Sequence, residues 1–179
     1  MNNTKKSIQK SFMNLYTTKS YEKITVRELC VQTPIARTTF YSYYNNINDV
    51  KIEIENELID GLLSVTERIS QGDLSNMEFI AFLDEIQKYI QVHWDIFYAF
   101  LVHNPNYHFI EKWKDAIKNN FKRRYPQKQY IKNYTLVSDV IASATIDAYS
   151  YWMRSPDEVD TDDMKLLITK ILDSTTKVL

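Results

Sequence analysis

A short polar segment between Ile24 and Val50 contains the residues of this chain that are best suited to chemistry. It reads ITVRELCVQTPIARTTFYSYYNNINDV, with one short helical pattern on each side of Pro34. The second pattern is rich in Arg, Thr and Tyr, where a buried helix would carry Leu and Ala. An Arg guanidinium can donate two hydrogen bonds to guanine, and Thr and Tyr hydroxyls can bind base edges or phosphates. The segment therefore predicts a surface that contacts DNA.

Two helices and a turn must position these side chains. Thr25 and Glu28 form a T-x-x-E capping box, which predicts the start of a helix. Pro34 ends that helix, because proline disfavours an α conformation at the residue before it. A second short helix is predicted over about Ile35–Tyr43. Two short helices joined by a tight turn are typical of a helix-turn-helix, whose second helix enters the major groove.

Composition restricts the class of protein. The chain has 179 residues, of which 44% are hydrophobic, with only two Gly and four Pro, too few turn formers for a β-rich or disordered chain. Its single cysteine excludes an intrachain disulfide framework and is typical of a reducing compartment. The sequence has no N-terminal signal segment, and no apolar run approaches the roughly 18 residues of a membrane span. We therefore expect a soluble, cytoplasmic protein that does not contact a membrane.

The net charge of −1 conceals an asymmetry between the two ends of the chain. Residues 1–50 contain seven Lys or Arg and three Asp or Glu, a net charge of +4, so the remaining residues have a net charge of −5. Such a division suggests that the N-terminal end meets a polyanion.

Apolar residues recur at helical spacing along nearly the whole chain, which predicts an all-α fold of about nine helices. The first helix has an apolar face of Ile8, Phe12, Leu15 and Tyr16. Asn46, with Asp49 three residues later, can cap a long fourth helix with the apolar stripe Val50, Ile54, Leu58, Leu62, Val65 and Ile69. After a break at Ser70–Asn76, further helices are predicted over about Met77–Gln91, Trp94–His103, Tyr107 to near Pro126, Ile131–Met153 and from a Thr161 cap onward.

Sixteen positions at fixed spacing define a more specific pattern: Phe12, Tyr21, Ile24, Thr25, Val26, Leu29, Ile35, Ala36, Arg37, Thr38, Thr39, Phe40, Tyr41, Tyr43, Tyr44 and Val50. Through them, residues 8–50 resemble the N-terminal domain of TetR-family transcriptional regulators. The resemblance implies a three-helix helix-turn-helix DNA-binding domain at residues 1–46, called the head below. It also implies a helical effector-binding and dimerisation domain at residues 47–179. Phe40 and Tyr44 are expected to hold the second helix of the motif against the core of the head.

The resemblance also implies roles for single residues. The positions that approach bases in the family are Arg27, Arg37 and Thr38, and those that lie along phosphates are Thr25, Thr39, Tyr41 and Tyr43, with Ser42 as a further candidate. The alternatives are ordinary solvated arginines for Arg27 and Arg37 and core packing for Tyr41. The N-terminal Lys5, Lys6 and Lys10 are either a solvated end or additional phosphate contacts.

The chain departs from the family pattern at three positions. Cys30 replaces the usual Ala, a change of small volume. Pro34 stands where the turn usually has Gly, so we expect a turn that avoids positive φ. Ile47 replaces a Lys that touches phosphate, which should lower DNA affinity and its salt dependence. The neutral donors that could substitute for that Lys are Asn45, Asn46 and Asn48.

An aromatic segment in the second half predicts a ligand pocket. Aromatic side chains with a few polar groups are what a small-molecule site requires. The candidate effector-binding residues are His93, Trp94, Phe97, Tyr98, His103, Tyr107, Trp113 and Tyr149. Their alternative role is plain core packing. The three His form no compact ligand motif, so we expect neither a metal nor a cofactor. The basic KNNFKRRY segment is either a solvated helix face or a second nucleic-acid contact.

The last two long helices are expected to pair with those of a second copy. Their small residues allow close approach and their apolar residues supply area: Val137, Ile141, Ala142, Ser143, Ala144, Ala148, Trp152, Leu167, Ile168 and Ile171. Two-fold protein symmetry matches a palindromic operator on double-stranded DNA. The alternative is that these helices pack only within one monomer.

The function predicted from the sequence is a repressor that a small apolar or aromatic effector releases from its operator. A short run, HWDIFYAFL, is similar to the branch of the family that includes a dihydroxyacetone kinase operon activator. The alternative is therefore an activator or adaptor of the same fold controlled by a protein partner. A helical enzyme is disfavoured because the sequence has no nucleophile–base signature, phosphate loop or metal motif.

Overall fold

A computed structural model of the chain describes residues 3–67, 76–124, 126, 130 and 132–176. The described residues form nine α-helices and no strand, which confirms the predicted all-α class. The helices are α1 Asn3–Tyr16, α2 Val26–Gln32, α3 Arg37–Tyr41, α4 Ile47–Glu67, α5 Asn76–Val92, α6 Trp94–Tyr98, α7 Tyr107–Arg124, α8 Tyr134–Arg154 and α9 Thr161–Thr176. A 3-10 turn spans Tyr21–Lys23, and a π-helical turn, Ala99–His103, continues α6. None of the described helices is both long and apolar enough to cross a membrane.

Local signals set the ends of the helices in the head. The capping box at α2 is confirmed, since the Glu28 amide donates to Thr25 Oγ1 at 3.3 Å and the Thr25 amide donates to Glu28 Oε2 at 3.2 Å. The predicted cap of α4 is also confirmed, since the Asp49 amide donates to Asn46 Oδ1 at 3.1 Å. The second helix of the motif is shorter than expected, Arg37–Tyr41 rather than 35–43.

The turn between α2 and α3 departs from expectation at Pro34. The Ile35 amide donates to the Cys30 carbonyl at 3.1 Å, the wide hydrogen bond of a Schellman motif. Pro34 lies at the left-handed position of this motif with a φ of 25°. The expectation that proline would avoid positive φ is therefore wrong. Fully buried Leu29 and Phe40 on either side determine the path of the chain and override the local preference of proline.

One continuous apolar core joins the head to the remaining helices. It runs from Ile8 in α1 to Ile168 in α9. The apolar stripe of α4 lies in this core at Val50, Ile54, Leu58 and Leu62. Because α4 packs on α1 within the head and on α5 and α7 beyond it, this helix links the two regions. The boundary between residues 46 and 47 stays a prediction.

The later helices differ from expectation mainly at their ends. The α9 helix is capped by Asp160, whose Oδ1 accepts from the Asp162 amide at 2.8 Å. The predicted Thr161 cap is therefore displaced by one position, because an Asp carboxylate can also accept from the exposed amides of the first turn. The α8 helix begins at Tyr134, after Asn133 at a φ of 70°. The predicted positions Ile69 and Ile131, and nearly all of the predicted break at 70–76, lie outside the described residues.

Candidate DNA-binding surface and ligand cavity

The α3 helix has one buried and one exposed side. Phe40 is fully buried and its ring lies 5.8 Å from that of Tyr44, so the expectation that these two hold the helix against the head core is confirmed. Arg37 and Thr38 are exposed, as is Tyr41, whose side chain is 55% exposed. Tyr41 therefore contributes little to the core.

Several cations of the head lack an acidic partner among the described residues. Neither Arg27 nor Arg37 forms an ion pair there, and both are exposed. Lys19 instead pairs with Glu28 at 2.7 Å. The exposed donors of these two arginines can bind an external anion without first breaking an internal contact.

The hydroxyls of Thr25 and Ser42 are already engaged. Thr25 Oγ1 donates to Glu28 Oε2 at 2.8 Å, and Ser42 Oγ donates to the Thr39 carbonyl at 2.7 Å. Either proton must leave its present acceptor before it can reach a phosphate. Thr39 and Tyr43 are half-buried at the edge of the same surface.

The N-terminal lysines have different environments. Lys5 pairs with Glu53 at 2.6 Å, and the Tyr44 hydroxyl donates to the same carboxylate. Burial raises the pKa of Glu53, but the hydrogen bonds from Lys5 and Tyr44 outweigh it and lower that pKa overall. Lys5 is thus paired with α4, whereas Lys6 and Lys10 are exposed.

The asparagines around Ile47 are mostly committed to the start of α4. Asn45 donates through Nδ2 to Asp49 Oδ2 at 3.0 Å, and Asn46 caps the helix. Asn48 Oδ1 accepts from the Tyr21 hydroxyl at 3.1 Å. Within the described residues, the side-chain amide donors of Asn46 and Asn48 have no partner, so these two are better placed than Asn45 to replace the missing lysine.

A narrow cavity of about 90 Å³ lies among α4, α5, α7, α8 and α9. Its walls are the apolar faces of these helices, interrupted by four polar side chains, Thr66, Asn120, Thr145 and Tyr149. Burial, followed by the nearby Asp84 charge, raises the pKa of Tyr149, so its phenol stays neutral. Among the residues that the structure describes, no charged side chain lines this cavity.

Of the eight candidate effector residues, the structure puts two, Trp113 and Tyr149, on the cavity. Phe97 is core, in ring contact with Trp113 at 5.4 Å. The other five lie away from the cavity: His93, Trp94, Tyr98, His103 and Tyr107. His93 and Trp94 are half-buried, whereas Tyr98, His103 and Tyr107 are exposed.

Sequence analysis missed the polar wall residue Asn120, although a signal was present. Trp113, Ile117 and Phe121 follow the i, i+4, i+8 spacing of a buried face, and Asn120 lies at i+7 on the same face. An amide on an apolar stripe is a useful indication of a polar contact inside a pocket. Sequence analysis also missed the four wall residues of α5, because no local signal distinguishes a residue that lines a pocket from one in the core. They are Phe79, Phe82, Leu83 and Ile86.

A second missed feature is a buried carboxylate between α4 and α7. Glu55 is 0% exposed and accepts hydrogen bonds from Asn106 Nδ2 at 2.8 Å and Lys112 Nζ at 3.1 Å, while His108 Nδ1 lies 2.6 Å away. We call these four residues the Glu55 junction. Its partners lie 51 to 57 positions away in sequence, so no local pattern could indicate it.

The Glu55 junction keeps its carboxylate charged. Burial alone raises the pKa of Glu55, but the hydrogen bonds from Asn106, Lys112 and His108 lower it below its usual value. Nearby, Tyr16 of α1 donates to the Asn104 carbonyl at 2.9 Å, and burial together with the Glu55 charge raises the pKa of Tyr16 to about 12. The head is thus hydrogen-bonded to the loop before α7.

The outer face of α8 and α9 carries several large apolar side chains. Those that are exposed are Leu136, Val140, Tyr151, Leu166 and Leu167. Five of the ten residues predicted for a dimer face instead belong to the monomer core: Val137, Ile141, Ala142, Trp152 and Ile168. That part of the expectation is wrong, because helical periodicity identifies an apolar face but not what it packs against.

Elsewhere, an open groove of about 610 Å³ lies between α1, α4 and α6, with Lys6, Lys10, Trp94 and Tyr98 on its walls. Within the described ranges, no group of three or more His, Cys, Asp or Glu side chains is placed to hold a metal ion.

Solved structures share this architecture. A TetR transcriptional regulator from Streptococcus agalactiae 2603V superposes with a TM-score of 0.72 at 19% identity, over 94% of this chain and 92% of that one. The dihydroxyacetone kinase operon activator DhaS superposes with a TM-score of 0.57 at 18% identity, over 98% and 95% of the two chains. The fatty acid degradation regulator FadR from Bacillus halodurans gives a TM-score of 0.69 at 12% identity, over 96% and 95%.

No protein-family model matches the sequence, and no curated protein matches it either. The likeness is therefore one of three-dimensional structure, and it extends over nearly the full length of both chains in each superposition. The chain has the fold of the TetR-family transcriptional regulators.

Proposed function

We propose that this protein is a homodimeric, sequence-specific DNA-binding transcription regulator, a repressor that a small-molecule effector releases from its operator. The observation that supports this most directly is the two-sided α3 helix. Phe40 is fully buried, while Arg37, Thr38 and Tyr41 on the same helix face outward. A short helix that is anchored by an aromatic residue and exposes unpaired donors suits insertion into the major groove.

Each exposed residue has a role in this proposal. Arg37 and Thr38 contact base edges, with Arg27 of α2 beside them. Thr39, Tyr41 and Tyr43 bind phosphates and set the register of the head on the duplex. Thr25 and Ser42 contribute less, because their hydroxyl protons are engaged within the protein.

Dimerisation would use the outer face of α8 and α9. Leu136 is 64% exposed and Leu167 is 55% exposed, a large apolar contribution for a solvated surface. Pairing of this face with its symmetry mate would bury these side chains and place two heads on half-sites of a palindrome. Replacing Leu167 with Glu should therefore produce monomers in analytical ultracentrifugation, whereas Met77→Glu, at an exposed apolar residue of α5, should not.

The cavity and the Glu55 junction provide a route from effector to head. The α4 and α7 helices line the cavity through Leu62, Leu63 and Trp113, and they meet again at Glu55, closer to the head. An effector that separates the two helices at the cavity would pivot α4 about Glu55 and shift the attached head. Release from DNA requires the effector to bind this shifted state more tightly than the DNA-bound one.

The alternative is an activator or adaptor of the same fold controlled by a protein partner. The open groove between α1, α4 and α6 favours it, because a partner seated there would contact both the head and α6. The half-exposed ring of Trp94, which stacks on Tyr98 at 6.5 Å, is the natural anchor for such a contact. This alternative predicts that Trp94→Ala abolishes regulation in cells while DNA binding by the purified protein is unchanged.

The first test is binding to the DNA upstream of the protein's own gene at two salt concentrations. We expect specific binding that weakens as salt rises, and a loss of about 1–3 kcal/mol in Arg37→Ala that arises mainly at one base position. The matched control is Arg123→Ala, at an exposed arginine on α7 that is 4.0 Å from Glu67. That variant should bind as wild type. Absence of specific binding both there and to a randomised DNA pool would contradict the proposal.

A further inference from the structure

The charge and polarity of the cavity wall restrict the effector. Of the sixteen side chains on the wall that belong to the described part of the chain, none is Asp, Glu, Lys, Arg or His. An ionised ligand would lose its hydration there without gaining a counter-ion, and the cost of burying an unpaired charge exceeds what apolar contacts return. The wall therefore selects against both anions and cations.

Three of the four polar side chains on the wall already donate a hydrogen bond to a carbonyl group of the protein. Thr66 Oγ1 donates to the Leu63 carbonyl at 2.7 Å, and Thr145 Oγ1 donates to the Ile141 carbonyl at 2.8 Å. The Tyr149 hydroxyl donates to the Leu83 carbonyl at 3.4 Å. Because these three hydroxyl protons already bind backbone carbonyls, they are not free to donate a hydrogen bond to a ligand.

Asn120 differs from the other three. Its amide forms no hydrogen bond with any other residue that the structure describes, although it sits between Trp113 and Phe121 on the inward face of α7. A partly buried amide has two donors and one acceptor to satisfy. In an otherwise apolar cavity it can recognise one neutral polar group and fix the orientation of the ligand.

The volume of the cavity restricts the ligand to a small molecule. A cavity of about 90 Å³ is smaller than the roughly 150 Å³ of an apolar cavity that accepts benzene. A single ring or a short aliphatic chain fits with a small displacement of the wall. Such a displacement would separate α4 from α7, which is the movement that the proposed mechanism needs.

We propose that the effector is a small uncharged molecule, about one ring in size, whose single hydroxyl or carbonyl group is bound by the Asn120 amide. This inference rests on the proposed function only where it says that the bound ligand changes operator binding. Ligand binding to the cavity is measured separately.

The experiment uses isothermal titration calorimetry of the full-length protein with three probes of the same shape, benzyl alcohol, benzylammonium and benzoate. We expect benzyl alcohol to bind at least tenfold more tightly than either ion. Equal or tighter binding of an ion, or no binding of the alcohol, would overturn the inference.

Two variants of neighbouring asparagines test the role of Asn120. Asn120→Leu should weaken benzyl alcohol binding about tenfold and leave toluene, which lacks the hydroxyl, within twofold of wild type. Asn119→Leu, on the exposed side of α7, should change neither. An equal loss for both ligands in Asn120→Leu would show only a change of shape and would overturn the polar contact.

A cavity-filling variant and a DNA measurement separate the two proposals. Ala116 of α7 lies on the cavity wall, and Ala116→Leu should abolish binding of both benzyl alcohol and toluene while circular dichroism stays as in wild type. A protein that binds the alcohol but no operator contradicts the proposed function and leaves the ligand class standing. A protein that binds its operator but prefers benzoate contradicts the ligand class alone.

Discussion

The head and the cavity are both candidate binding sites, yet they are built in opposite ways. The exposed surface of the head comes from a contiguous stretch, residues 25–43, in which short-range contacts fix each helix. The cavity wall comes from five helices and extends from Leu62 to Leu172. A contiguous site can be recognised from a pattern of residue types, whereas a dispersed one exists only after the helices pack. The Glu55 junction belongs to the second kind and joins the two regions.

The largest expected effect is at that junction. Glu55→Ala leaves Lys112 and the Asn106 amide without their acceptor, and loss of one partner of a buried ion pair costs about 3–5 kcal/mol. Because Lys112 is 27% exposed and His108 is 56% exposed, water can replace part of the contact, and we expect a loss of about 2–3 kcal/mol of unfolding free energy. Urea denaturation measures it. Asp60→Ala, at an exposed position of the same helix, should cost under about 0.5 kcal/mol.

If Glu55 also couples the regions, the same variant should lose the effector response before it loses operator binding. Equal stability of Glu55→Ala and Asp60→Ala would show that the junction contributes nothing to the fold. It would also remove the pivot from the proposed mechanism.

The next effect is at Gly61, where α4 passes close to α5. A Cβ at this position would lie 1.9 Å from the Tyr89 hydroxyl oxygen and 2.2 Å from its Cζ atom, so the ring must move. We expect Gly61→Ala to cost about 1–3 kcal/mol of stability by overpacking. Adding Tyr89→Leu should recover part of that loss in a double-mutant cycle. If the two changes are additive, the close approach has no energetic consequence.

A smaller effect of opposite sign is expected in the head. Pro34 is held at a φ of 25°, whereas its ring favours about −65°. Glycine relieves that strain but loses more conformational entropy on folding, so Pro34→Gly should stabilise the protein by about 1 kcal/mol. Thermal unfolding measures this change. Pro156→Gly, in the exposed turn before α9, is the control and should be neutral or slightly destabilising. A loss of stability in Pro34→Gly would show that the turn is not strained.

The smallest effect is a dependence of stability on pH that arises from Glu55. Its folded-state pKa is lowered, so its contribution is fully present above the unfolded-state value of about 4.3 and is lost as the pH falls through the folded value. The free energies of unfolding of wild type and Glu55→Gln should differ by a constant amount well above the unfolded-state value and converge as the pH falls through the lowered folded-state value. A difference that does not change down to pH 3 would mean that the Glu55 charge is not what stabilises the junction. Using the difference between the two proteins removes the titration of Glu53 and Glu28, whose pKa values are also lowered.

How much could be predicted differs between these regions for a physical reason. The capping box at Thr25 and the cap at Asn46 were predicted correctly because their partners lie three residues away. The turn at Pro34 was not, because tertiary packing of Leu29 and Phe40 overrode the local preference of proline. The aromatic segment 89–113 indicated a pocket, but most of its rings form core or surface, since periodicity does not distinguish a wall from an interior.

The amino-acid sequence by itself determined the all-α class, the starts of α2 and α4 and the polar face of α3, since these depend on contacts within a few residues. Only the tertiary structure decided which residues line the cavity, which apolar face of α8 and α9 stays exposed, and that Glu55 is buried with a charge. Those features depend on residues that are far apart in sequence, up to 110 positions in the case of Leu62 and Leu172. Such residues come into contact only when whole helices pack, which no local preference determines.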